Sequence, residues 1–154
     1  MQVLQALVLN KVHMQFKFIR ATLQDWGYLL ELRELTMIEH LEMSGQYLSE
    51  EEHEFRLNDN YDCSHLIVYK NKIIGTLKYR ELKEKLEIMQ LQVHPDYQGK
   101  GLGQQVIEQV LEVSKPKYLE LTVLKKNRAL NLYKRLGFTI FGEDQFEYFM
   151  HTKH

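Results

Sequence analysis

The chain has 154 residues, 44% of them hydrophobic, and a formal net charge of −1. That length suits one compact core, and the near-neutral balance gives no electrostatic reason to bind nucleic acid or an anionic membrane. No apolar run approaches the ~20 residues of a membrane span, and Cys63, the single cysteine, has no internal disulfide partner, which points to a reducing, cytoplasmic setting.

Residues 1–15 read as an N-terminal extension and residues 16–154 as the domain. The apolar stretch 3–9 lacks a preceding basic residue and a small-residue cleavage site, so it is not read as a signal peptide. Met14 is an alternative start. Residues 16–21 alternate and are expected as a first strand. Thr22 with Asp25 makes an N-cap arrangement. The helix behind it carries Trp26, Leu29, Leu30, Leu32, Leu35, Ile38 and Leu41 at helical spacing and ends at Met43-Ser44-Gly45. Ser49 before Glu50, Glu51 and Glu52 opens a second, short helix with acids in its first turn. Residues 65–69 and 73–80 are strands joined by a turn at Asn71-Lys72, and residues 85–93 are a third. Cys63 is expected as a small buried residue on a strand. Residues 103–114 form a helix with Val106, Ile107, Val110 and Leu111 on one face, stopping before Pro116. Residues 118–124 are a strand, residues 127–136 a helix closed by Gly137, and residues 138–141 and 146–151 paired strands. The order β-α-α-β-β-β-α-β-α-β-β is a mixed α/β layout, with a crossover helix between the strands on either side of a glycine-rich turn.

That turn is Gln98-Gly99-Lys100-Gly101-Leu102-Gly103. It follows the apolar run 86–93 and opens a helix. The first N–H groups of a helix have no internal partner, and its dipole favours negative charge there. Glycines let the backbone approach an anion without a Cβ in the way, and Lys100 adds a cation. The P-loop is excluded because no Ser or Thr follows the Gly-Lys pair. The dinucleotide fingerprint is excluded because the spacing is G-x-G-x-G without an early βαβ unit. A glycine-rich helix start with no ligand is the plain alternative.

The pattern Q-x-x-G-x-G after a strand ending Val93-His94-Pro95 resembles the acetyl-CoA pyrophosphate loop of the GNAT superfamily of N-acetyltransferases. Asn127-Arg128-Ala129-Leu130-Asn131-Leu132-Tyr133-Lys134-Arg135-Leu136-Gly137-Phe138 resembles the family's N-x-A-x-x-x-Y-x-x-x-G-F segment. The motifs span roughly residues 86–141; the N-terminal third agrees in pattern alone. The resemblance implies a central, mostly antiparallel sheet, splayed at the cofactor site and flanked by helices. It implies acetyl-CoA as cosubstrate. Gln98, Gly99, Lys100, Gly101, Leu102, Gly103 and Gln104 would hold the pyrophosphate. The strand at Leu91, Gln92 and Val93 would hold the pantetheine, with one N–H polarising the thioester carbonyl as an oxyanion donor does. Asn127, Leu130 and Tyr133 would flank it, and Tyr133 would protonate the leaving thiolate. Glu87, eleven residues before Gln98, matches the spacing of a general base in some members, a role that needs burial to raise its pKa. Each has a structural alternative: a core tyrosine, a helix-capping Asn127, a solvated Glu87, or a water chain in place of a base.

The seven histidines show no metal-ligand spacing, so no metal is expected. Residues 25–62 hold eleven acids against Arg33 and Arg56, a balance of −9, whereas residues 100–135 hold eight bases against three acids. A basic cofactor region suits polyanionic CoA. An acidic pair of helices would concentrate a cationic amine, unless the acids only solvate the outer faces. The expectation is an acetyl-CoA-dependent N-acetyltransferase acting by direct transfer in a ternary complex on a small-molecule amine or exposed amino group. A homodimer stays open. The alternative is a CoA-binding regulatory or interaction module without turnover.

Overall fold

The computed structural model describes residues 14–153. Residues 1–13 of the expected extension over 1–15, with His13, and the terminal His154 lie outside them. Seven strands, β1 Phe16–Arg20, β2 Ser64–Tyr69, β3 Lys72–Glu81, β4 Lys85–Val93, β5 Tyr118–Leu124, β6 Thr139–Glu143 and β7 Glu147–His151, form one sheet in the order β1-β2-β3-β4-β5-β7-β6. The helices are α1 Trp26–Met43, α2 Glu50–Asn58, α3 Leu102–Ser114 and α4 Ala129–Arg135. The expected order of elements is the observed one, and β4/β5 is the single parallel pair among the described residues, bridged by α3. The sheet is open, mixed and flanked by helices.

Local chemistry accounts for most boundaries. The Thr22 hydroxyl accepts from the Gln24 N–H while the Asp25 carboxylate accepts from the Thr22 N–H, starting a 3-10 turn that leads into α1. Ser49 and Glu52 exchange the same pair of bonds at 3.1 and 3.2 Å at the start of α2. The β2–β3 turn sits one residue earlier than expected. Lys70 and Asn71 both take left-handed φ, 50° and 66°, the requirement of a two-residue hairpin turn. Helix α4 is shorter than expected at both ends. The Asn127 side chain accepts from the Ala129 N–H at 2.9 Å, and Gly137 at φ 98° closes the other end. Cys63 closes a 3-10 turn before β2 rather than lying on the strand, and is half-buried.

The main core packs Val106, Ile107 and Val110 of α3 with Leu77, Leu86, Ile88, Leu119 and Leu121 of the sheet. A second cluster, Ala21, Leu29, Leu57 and Leu66, lies under α1 and α2 on the other face. The two helices are tied there by Trp26 Nε1 donating to Asn58 Oδ1 at 2.8 Å.

Candidate active site

Strands β4 and β5 separate at the centre of the sheet. They pair from Lys85↔Tyr118 to Ile88↔Leu121 and no further. Beyond that point β5 continues with β7, through Thr122↔Phe149 to Leu124↔Glu147, and β4 continues with β3. The register of β3 against β4 shifts between Lys78 and Tyr79, so Met89 is an extra residue on β4. A bulge bends the strand that carries it, and here it falls one residue after the last β4/β5 pair.

The phase of the β3/β4 ladder decides which backbone groups face the gap. The His94 N–H donates to the Ile74 carbonyl at 2.8 Å, which makes His94 and Ile74 a hydrogen-bonded pair. Antiparallel pairs alternate, so Gln92 opposite Thr76 bonds to β3. Leu91 and Val93 turn their N–H and C=O groups away from β3, toward the gap. Their side chains point to the α3 side. Leu91 packs against the main core, and Val93 Cγ2 lies 3.8 Å from where a Cβ on Gly103 would stand. Gln90 and Gln92 face the α1–α2 side.

The gap opens at its upper end onto the glycine turn. Gly99 and Gly101 take φ of 75° and 74°, open to glycine at no steric cost. Gly101 is the N-cap of α3, and no side chain caps it. The N–H groups of Leu102, Gly103 and Gln104 therefore have no intrahelical acceptor. Lys100 Nζ sits 5.5 Å from the centroid of the Tyr97 ring. Gln98 turns back: its Nε2 donates to the Val93 carbonyl at 2.9 Å.

Tyr133 and Leu130 of α4 pack against the main core, with Tyr133 edge-on to Phe138 at 5.5 Å. The Phe138 N–H donates to the Tyr133 carbonyl and the Gly137 N–H to the Lys134 carbonyl, a Schellman closure that fixes the backbone of Tyr133. Burial pushes the Tyr133 phenol up to about 12, so at neutral pH it holds its proton. The Asn127 side-chain oxygen is committed to the Ala129 N–H.

Glu87 lies in the closed part of β4/β5, with its carboxylate 3.1 Å from Arg80 Nη2. A second carboxylate went unsingled by the sequence. Glu147, half-buried on β7, stands opposite Leu124. Burial, then the Asp144 charge, raises its pKa; a Thr122 hydrogen bond and the Arg56 charge act the other way. Thr122 is the first β5 residue beyond the last β4 pair, so Glu147 reports on the β5 bank of the gap. Its position across a hairpin is tertiary information that neighbouring residues do not carry.

On the α1–α2 side the buried charge is basic, although the sum over residues 25–62 is acidic. None of the eleven acids in residues 25–62 is buried, and eight are exposed. A small cavity on that side is lined instead by the buried Arg33 and Lys78 and by the exposed Arg56. Among the described residues no group of three or more His, Cys, Asp or Glu is placed to hold a metal ion. No helix among them is long and apolar enough to cross a membrane.

Comparison with known proteins agrees with this fold. The model of the GNAT acetyltransferase family matches residues 29–138. A curated relative, an uncharacterised N-acetyltransferase of Methanocaldococcus jannaschii, is 39% identical over 62 residues, 38% of this chain; the match spans 27% of that relative's length. Among solved structures, the PaiA N-acetyltransferase of Thermoplasma acidophilum in complex with coenzyme A is 19% identical. It covers 92% of this chain and 100% of its own at a TM-score of 0.69. Arabidopsis thaliana Naa50 with the bisubstrate analogue CoA-Ac-MVNAL is 20% identical, with coverage of 92% and 100% and a TM-score of 0.63. The spermidine/spermine N-acetyltransferase SpeG of Vibrio cholerae is 19% identical, with coverage of 89% and 92% and a TM-score of 0.61. The chain belongs to the GNAT acetyltransferase family.

Proposed function

We propose that this acetyltransferase moves the acetyl group of acetyl-CoA to a primary amine by direct attack in a ternary complex. The observation that carries the reading is the continuous surface from the outward backbones of Leu91 and Val93 to the uncapped start of α3. The pantetheine fills the gap as a pseudo-strand on Leu91 and Val93, alongside Gln92. The pyrophosphate meets the N–H groups of Leu102, Gly103 and Gln104, with Gly99, Lys100 and Gly101 around it and Gln98 at the base of the turn. Asn127 and Leu130 line the α4 side.

The amine nitrogen attacks the thioester carbonyl, whose developing oxyanion is met by an N–H of β4. The C–S bond then breaks, and Tyr133 gives its proton to the thiolate sulfur. The attacking amine loses its own proton to a carboxylate or to water. Glu87 is the base implied by spacing. Glu147, whose pKa is raised and whose hydrogen-bond partner Thr122 borders the gap, is the base implied by position. The acceptor is a small-molecule amine or an exposed amino group. The solved relatives that hold a bisubstrate analogue or are named for spermidine and spermine support both the ternary complex and an amine acceptor.

The test is an acetylation screen over amines, amino acids, polyamines and peptide N-termini, read by CoA release and by mass of the product. Acetylated amine at one class is expected. Tight CoA binding with no product from any amine would leave a non-catalytic CoA-binding module.

A further inference from the structure

Arg33 is a charged residue on the inward face of α1, 3% exposed. Its Nε donates to His53 Nδ1 at 3.1 Å, and its Nη2 is buried without any hydrogen-bond partner. Among the described residues no carboxylate pairs with it, although a buried unpaired charge is among the costliest groups a protein can hold. Burial, and then the Arg56 charge, lowers its pKa to about 10, the mark of a cation lacking its counter-charge. Burial first, then Arg33 and Arg56, also holds His53 down, so His53 accepts as the neutral ring and adds no negative charge.

Arg33 lines a cavity of about 20 Å³ between α1, α2 and the sheet, together with Arg56, Lys78, Thr76, Gln90 and Gln92; none of its lining residues is acidic. The Lys78 ammonium donates to the carbonyls of Arg56, Leu57 and Asp59 at the end of α2, so it adds charge to the cavity without a spare proton. The Gln92 amide donates to Gln90 Oε1 at 2.9 Å, which leaves the Gln90 amide N–H groups to donate elsewhere. The cavity thus offers a buried guanidinium N–H without a hydrogen-bond partner, a free amide, a second fixed cation and no acidic residue in its lining. Gln90 and Gln92 belong to the β4 segment that borders the gap, so this cavity sits behind the place where an acceptor would lie.

We infer that the Arg33 cavity is a subsite for a small singly charged anion, the head of a carboxylate or a halide. Its source is either the acceptor's own carboxylate or a free ion. The first source deepens the proposed function, making the substrate an amine that also carries a carboxylate, and it rests on that reading; the second does not.

The first arm uses no cofactor and no amine. Thermal unfolding is followed in chloride, bromide or formate against gluconate at equal ionic strength. Gluconate is too large for the cavity. A ligand near tenfold over its Kd stabilises the native state, and a rise of roughly 3–6 °C is expected for a chain of this size. Arg33→Met removes the buried charge, and the rise should vanish in it. If Arg33→Met does not fold, Gln90→Leu, at a half-exposed strand position, should weaken the rise instead. Equal unfolding temperatures in all four salts would overturn the subsite and leave a cavity that water fills. The second arm compares amines matched with and without a carboxylate. A kcat/KM preference of tenfold or more for the carboxylate partner, lost in Gln90→Leu or Arg33→Met, assigns the acceptor as the source. Anion-dependent stability with no such preference assigns a free ion. Anion-dependent stability with no turnover of any amine keeps the subsite and removes the proposed activity.

Discussion

Gln98 donates its side-chain amide to the carbonyl of Val93 at 2.9 Å, so the glycine turn is laced to the end of the strand that borders the gap. The bond occupies one of the outward groups of β4 and fixes the angle between the strand end and the start of α3. Gln98→Ala is expected to raise the Kd for CoA about two- to tenfold, the worth of one hydrogen bond near 1 kcal/mol, with little change in Tm because the bond is exposed. Calorimetry beside thermal unfolding measures both; a variant that bound CoA like the parent would free Gln98 from any part in the site.

The glycines of the turn should separate by mechanism. A Cβ on Gly103 would stand 3.8 Å from Val93 Cγ2, an ordinary contact, so Gly103→Ala should fold normally and lose affinity for CoA alone. Gly101 sits at φ 74°, so Gly101→Ala should cost stability whatever the ligand. Gly103→Glu places a carboxylate against the phosphates and should abolish binding. CoA titration of folded Gly103→Glu with parental affinity would relocate the phosphate site.

Tyr133→Phe should lower kcat roughly tenfold to 10²-fold, since a thiolate is already a fair leaving group, and should leave the Kd for CoA near the parent value. The ring and its edge contact with Phe138 remain. Because burial holds the phenol up to about 12, the alkaline side of the kcat profile should stay flat until pH nears that value. An alkaline fall near pH 10 that disappeared in Tyr133→Phe would contradict the buried phenol.

Glu87→Gln and Glu147→Gln distinguish the two candidate bases. The true base should lower kcat/KM about 10²-fold or more, and the other should leave it near the parent. Glu147 has a signature of its own. Its folded pKa is raised, so on raising pH the unfolded chain loses this proton first, and the ionised carboxylate disfavours the native state. Glu147→Gln should therefore raise Tm at pH 7, and the gain should fade as pH falls below the ordinary carboxylate range. A Tm gain constant from pH 4 to 8 would refute the shifted pKa.

Gly75 carries no left-handed φ, yet it has no alternative. A Cβ there would lie 2.0 Å from the Gln92 carbonyl oxygen, inside the ladder that sets the outward phase of Leu91 and Val93. Gly75→Ala should cost about 3 kcal/mol, the upper range for overpacking, measured by urea unfolding. A loss under ~0.5 kcal/mol would mean β3 yields easily.

Element ends were legible where short-range chemistry sets them, at Thr22, Ser49, Pro116 and Gly137. The glycine turn was legible for the same reason, since its backbone demands are local. The inner lining was not. Summing charge over residues 25–62 gives acidity, but a sum has no sides. Arg33 follows Leu29 by one helical turn, and that i,i+4 spacing was the available sign that it faces inward with Leu29. Glu147 lacked any such sign, because β7 reaches β5 only after β6 has been laid down outside it.

The extra residue on β4 works like a frame marker in the strand. Below it, Leu86 and Ile88 are buried in the main core; above it, Leu91 and Val93 take over the same side, and the step from even to odd numbers happens at Met89. A one-residue deletion there would not shorten the strand so much as turn its upper half inside out. Gln90 and Gln92 would inherit the α3 side, the apolar pair would face Arg33, and the backbone bordering the gap would change hands. Length variation in this chain therefore belongs in its loops, and β4 should tolerate substitution at many positions but neither insertion nor deletion.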